Sequence, residues 1–192
     1  RVIRRFSETI MELSSGELSE ISGAYKWDIS REAYWQRIYD KTASLFSTAA
    51  ESGAVLSDAP EGLVQSLKSY GYNLGMAFQI VDDILDFQGT EAKIGKPVGN
   101  DLLQGTITLP SLLLMERYPG DNPIKKLFEN VENDRNLKRV IEMIQNSDII
   151  PQSYSVASDL CHKATQALEP LPGSSYKRSL ADLAAYVLER QY

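Results

Sequence analysis

Residues 78–87 read Phe78-Gln79-Ile80-Val81-Asp82-Asp83-Ile84-Leu85-Asp86-Phe87, and the reading of this stretch decides the fold. Three aspartates stand among residues that otherwise suit a buried core. An ionised carboxylate in an apolar setting is costly unless it is paired or coordinates a cation. On a helical wheel advancing roughly 100° per residue from Phe78, Asp82, Asp86, Gln79 and Asp83 fall between about 40° and 140°. Ile80, Val81, Ile84, Leu85 and Phe87 fill the sector from about 180° to 340°. The stretch is therefore a helix that is apolar nearly all round and carries one polar stripe.

A solvated stripe normally mixes signs, often as opposite charges four residues apart. This one holds three aspartates and no cation, so its members repel one another. Short carboxylates offer hard oxygen, which suits Mg²⁺; that ion takes one or two carboxylates and completes its shell with water and substrate phosphates. Asp82, Asp83 and Asp86 are the candidate metal ligands, and the companion expectation is a phosphorylated ligand. Lysines suited to hold phosphate occur at Lys41, next to Thr42 in YDKTASLF, and at Lys93 and Lys96 in a glycine-rich stretch.

Outward from this stretch, helical periodicity dominates and nothing alternates as a strand. Helices are expected over about 2–21, then from a cap at Asp28 or Ser30 to near Gly53, and over 60–87 with Pro60 in the first turn. Later helices are expected over 110–116, 123–131, 134–146, 152–168 and 174–191. Residues 89–110, GTEAKIGKPVGNDLLQGTITLP, hold four glycines and two prolines. Apart from a short helical piece at 100–103 they read as a binding loop, with 88–110 taken as the loop's bounds. Small residues at Ala43, Gly71 and Gly75 are expected to let helices approach closely. The class is all-α, one domain over 1–192.

The 192 residues carry 20 Lys and Arg against 26 Asp and Glu, a net charge of −6. That balance argues against a nucleic-acid partner bound through a basic surface. The single cysteine, Cys161, has no internal partner for a disulfide, which makes a cytoplasmic location the expectation. It is followed by His162, but neighbours in a helix do not face each other, so the pair reads as ordinary helix. No apolar run reaches transmembrane length.

In order and spacing, FQIVDDILDF, then GKPVGNDL, then TLP resembles the second aspartate-rich motif and following loop of the trans-isoprenyl diphosphate synthases. YDKTASLF resembles that family's lysine–threonine motif, and GELSEI its GQ-or-GE helix segment. The resemblance covers most of residues 10–115. It implies an α-helical bundle of the isoprenoid synthase type and a prenyltransferase that joins an allylic diphosphate to isopentenyl diphosphate with Mg²⁺. By the same resemblance Asp82 ligates the metal, with Asp83 and Asp86 in support. Lys41 and Lys96 contact the diphosphate, and Thr42 and Gln79 present oxygens to the developing allylic cation.

The resemblance also implies a homodimer, with Arg4, Phe6, Ile10 and Leu13 as interface candidates. The sequence departs from the family at Thr106, where some members carry lysine, and at Glu20, where glutamine or aspartate is common. A second DDxxD is absent from the sequence. The expectation is therefore a C-terminal portion with N-terminal helices missing, inactive by itself. The alternatives are a non-catalytic subunit of a heteromeric prenyl diphosphate synthase, a terpene cyclase and a helical interaction module.

Overall fold

The computed structural model describes residues 1–88, 97–129 and 133–190, and all regular structure among them is helical. The helices are α1 (Val2–Gly23), α2 (Arg31–Ile38), α3 (Ser44–Leu56), α4 (Glu61–Gln88), α5 (Asn100–Leu103), α6 (Leu109–Arg117), α7 (Pro123–Phe128), α8 (Asn133–Gln145), α9 (Ile149–Ala167) and α10 (Ser175–Glu189). A π-helical segment, Tyr39–Ala43, joins α2 to α3.

The 28-residue α4 is the axis of the bundle. It packs between α3 and α9, while α10 lies on α9 and α4, and α1 lies on the π segment and α3. Ile80, Val81, Ile84 and Phe87 are wholly excluded from solvent. This is the apolar sector of the wheel, and each such side chain contributes roughly 1.5–3 kcal/mol on burial. The close packing of α3 on α4 depends on glycine. A Cβ at Gly71 would stand 2.4 Å from the Phe46 carbonyl oxygen, and one at Gly75 2.6 Å from Ala43 Cα. The packing role expected of Ala43, Gly71 and Gly75 is what these contacts show.

Helix starts follow local chemistry. Ser30 caps α2 by accepting from Ala33 N at 3.2 Å, and Ser174 caps α10 by accepting from Lys177 N at 3.1 Å. Helix α9 begins three residues earlier than its sequence suggests, because Pro151 sits in the first turn, where a missing N–H costs nothing. The helix expected to run unbroken to Gly53 is instead divided by the π segment and extends to Leu56. Helix α7 ends at Phe128, and Val131 lies outside the described residues.

Side chains lock α1 onto its neighbours. The Arg5 guanidinium donates to Thr48 Oγ1 at 3.0 Å and to the Tyr39 hydroxyl at 3.2 Å, and the Thr9 and Thr48 hydroxyls lie 2.6 Å apart. On the opposite face of α1, Ile3, Phe6 and Ile10 are exposed. No helix among the described residues is long and apolar enough to cross a membrane.

Candidate active site

A cleft of about 210 Å³ opens between the second half of α4, the π segment, the end of α1 and residues 100–108. It is lined mostly by polar groups, among them Glu20, Arg37, Lys41, Gln79, Asp82, Asp83 and Asp101. The π segment carries Lys41, which lines the cleft, and Thr42, which hydrogen-bonds the cleft residue Gln79. In a regular helix Lys41 and Thr42 would diverge by about 100°. The wider π turn advances less per residue and so narrows that divergence, and such bulges are frequent at functional sites.

Lys41 Nζ donates to both oxygens of Glu20, at 2.7 and 2.8 Å. Thr42 Oγ1 donates to Gln79 Oε1 at 2.8 Å. The reach to Glu20 requires α1 to lie against the π segment. Gly16 permits this, since a Cβ there would stand 2.6 Å from the Lys41 backbone nitrogen.

The three aspartates of DDILD have three different settings. Asp83 is buried, 3% exposed, and accepts on both oxygens. Gln79 Nε2 donates to Oδ1 at 3.1 Å, while the Tyr34 hydroxyl at 2.7 Å and the Leu109 N–H at 3.4 Å donate to Oδ2. Burial pushes its carboxyl up to about 7, against the pull of the Tyr34 and Gln79 hydrogen bonds. The Tyr34 phenol is itself pushed well above its ordinary value, first by burial and then by the charge of Asp83.

Asp86 accepts from the Asn100 N–H at 3.1 Å and the Asp101 N–H at 3.2 Å. Burial, then the neighbouring Asp101 charge, pushes it up to about 7. Asp83 and Asp86 thus satisfy free N–H groups at the starts of α6 and α5 respectively, a favourable place for a carboxylate. Both pin the returning chain to α4. Asp82 alone stays partly open to the cleft, its side chain 41% exposed, with Oδ1 accepting from Arg190 Nη2 at 3.0 Å.

Of the residues singled out from sequence, Lys41, Gln79, Asp82 and Asp83 line the cleft, Thr42 is joined to it through Gln79, and Asp86 lies behind it. Lys93 and Lys96 lie outside the described residues. Sequence reasoning missed Arg37, Asp101, Tyr34 and Arg190. Arg37 is buried, donates to the Ile107 carbonyl and faces the Tyr34 ring at 5.7 Å. Its spacing four residues before Lys41 was the available signal. Asp101 lies in the GNDL stretch; its carboxyl is pushed up by burial first and then by Glu20, with Asp82 adding to the repulsion and Lys41 opposing it.

Among the described residues, no three His, Cys, Asp or Glu side chains converge closely enough to hold a metal by themselves. The donor set nevertheless fits Mg²⁺, which needs one or two carboxylates and borrows the rest of its shell from phosphate and water. Asp82 and Asp101 supply hard oxygens whose mutual repulsion a divalent cation would relieve.

The helical architecture recurs in solved structures. A heptaprenyl diphosphate synthase from Staphylococcus aureus matches with TM-score 0.90 and 37% identity, over 99% of this chain and 60% of that one. A Caulobacter crescentus polyprenyl synthase complexed with calcium and isoprenyl diphosphate matches with TM-score 0.89 and 29% identity, over 100% and 59%. Residues 1–147 match the polyprenyl synthetase family, and the chain belongs to it. Among curated relatives, heptaprenyl diphosphate synthase component 2 of Bacillus subtilis is 39% identical over 189 residues, 98% of this chain and 54% of the relative. The chloroplastic solanesyl diphosphate synthase 2 of Arabidopsis thaliana is 32% identical over 193 residues, 98% and 45%. The chain thus spans about half the length of these relatives.

Proposed function

We propose that this chain forms the part of a prenyltransferase that holds an allylic diphosphate and its divalent cation while isopentenyl diphosphate is added. The observation that carries the reading is the cleft itself. Asp82 and Asp101 face Lys41 and Arg37 there, above the chain of hydrogen bonds from Thr42 through Gln79 and Asp83 to Tyr34. Asp82, with Asp101 beside it, would hold Mg²⁺, and Asp83 and Asp86 position the segments that close the cleft. When bound, the cation offsets the charge of the diphosphate and orients it.

The Lys41 ammonium, held near the cleft by Glu20, is the chain's own charge for the departing diphosphate, and Lys96 is proposed to act with it. The allylic C–O bond breaks with its electron pair leaving on the diphosphate. The alkene carbon of isopentenyl diphosphate then bonds to the allylic carbon, and a proton is lost. Thr42 keeps its lone pairs free because it donates to Gln79. The Gln79 amide is held in one orientation, its nitrogen donating to Asp83 and its oxygen accepting from Thr42. Fixed dipoles of this kind stabilise a cation as it forms, without reorganising.

The test is elongation by an enzyme that contains this segment, since the chain by itself is expected to be inactive, with Mg²⁺, an allylic diphosphate and radiolabelled isopentenyl diphosphate. Asp82→Ala is expected to lower kcat by about 100-fold or more, and chelation of the metal to abolish turnover. Wild-type turnover by Asp82→Ala would sink the reading. The homodimer remains part of the proposal, supported by the exposed Ile3, Phe6 and Ile10 of α1. Sedimentation of the protein as a monomer at all concentrations would overturn it.

A further inference from the structure

We propose that Arg190 is a tethered counter-ion of Asp82 that competes with the divalent cation for that carboxylate, so that cation binding releases the end of α10 from α4. This rests on the reading of Asp82 as a metal ligand. Arg190 is the residue after α10, 108 positions from Asp82. Its Nη2 donates to Asp82 Oδ1 at 3.0 Å, and its guanidinium carbon lies 4.2 Å from the centroid of the Phe78 ring. Phe78 and Asp82 are four apart on α4, one turn, so a single planar group lies along one face of the helix and touches both.

Two features separate this from a casual surface pair. The Arg190 side chain is only 21% exposed. Its Nη1 is buried and has no hydrogen-bond partner among the described residues. A buried donor left unmet is unfavourable, so the Asp82 ion pair and the Phe78 stack must offset that cost. What holds it is charge: Asp82 attracts it, and the negative side chains of Glu20 and Asp101 line the same cleft.

A divalent cation is drawn to the same oxygens, and two cations brought to one carboxylate repel each other. Linkage then works in both directions: the arginine weakens cation binding, and the cation weakens the hold of α10 on α4.

The experiment is calorimetric titration of the protein with Mn²⁺, without diphosphate, in the wild type and in Arg190→Gln, Arg190→Lys, Phe78→Leu and Asp82→Asn, with thermal melts confirming the fold. Arg190→Gln is expected to bind Mn²⁺ roughly two- to fivefold more tightly than wild type. Arg190→Lys, which keeps the charge but not the planar stack on Phe78, should fall between wild type and Arg190→Gln, and Asp82→Asn should lose the site. If Arg190→Gln melts early, Phe78→Leu serves in its place, since losing the stacked ring should also tighten Mn²⁺ binding. Equal or weaker binding by Arg190→Gln, beside loss in Asp82→Asn, overturns the inference and leaves the metal reading standing. Equal tightening by Arg190→Lys overturns it too, because charge would then not be the cause. Binding that does not depend on Asp82 overturns both.

Discussion

Asp82, Asp83 and Asp86 differ in what surrounds them, and the surroundings set what a substitution at each should do. Asp83 meets three donors and is buried. In Asp83→Asn the new amide nitrogen must face either the Leu109 N–H or the Gln79 N–H, donor against donor in a buried place. The expected cost is about 1–3 kcal/mol, read as a lower urea midpoint with unchanged slope. Asp82→Asn loses an ion pair that is partly solvated, so its stability should stay within about 1 kcal/mol of wild type. Equal stability of the two variants would remove the distinction between a pinning carboxylate and an open one. At Cys161, burial pushes the thiol up to about 11 from an ordinary 9.0. At pH 8 its thiolate fraction falls from about one in ten to about one in a thousand. A disulfide reagent such as Ellman's is therefore expected to modify the folded protein slowly and the urea-unfolded protein at once. Fast modification of the folded state would show that the thiol is not buried.

At the scale of elements, most helices were legible because each buries a stripe of the right period, with Ser30 marking a start by its capping chemistry. The π segment was not. One additional residue in a turn leaves hydrophobic spacing on either side intact, so YDKTA reads as plain helix until its backbone is seen. The polar stripe was legible as a group but not as three separate roles. Which aspartate pins which returning segment depends on Leu109 and Asn100 lying against α4, and no local pattern encodes that contact. Arg190 was invisible for the same reason, being distant in sequence from its partner. The glycines were legible because few residues suit two helices in near contact. Gly71→Ala is accordingly expected to destabilise by about 1–3 kcal/mol, since its Cβ would meet the Phe46 carbonyl oxygen at 2.4 Å. Thermal melting checks this, and a melting temperature at or above wild type would mean that α3 shifts away without cost.

Over the whole molecule, the core around α4 takes several ionisable groups out of water, and together they set how stability responds to alkali. Cys161 is pushed up to about 11 and Tyr70 up to about 12, both by burial, and Tyr34 lies well above its ordinary 10.0. In the unfolded chain these groups ionise at ordinary values, near 9 for the thiol and 10 for the phenols. Above about pH 9 the unfolded state therefore binds fewer protons than the folded one, and stability falls as pH rises. The fall should begin near the ordinary thiol value, steepen as the phenols join, and continue until the folded groups themselves ionise. Urea titrations at pH 8, 9.5 and 10.5 should show a decreasing midpoint. Cys161→Ala should delay the onset and Tyr70→Phe should shallow the later slope, although that variant also loses the 2.8 Å bond from the Tyr70 hydroxyl to the Leu180 carbonyl. The bond's loss is a constant offset at every pH below the phenol's titration, so the slope, not the midpoint at one pH, isolates the burial effect. A midpoint that stays level from pH 8 to 10.5 in the wild type would mean that these groups reach water in the native state, and that α9 and α10 do not seal the core around α4 as tightly as their packing indicates.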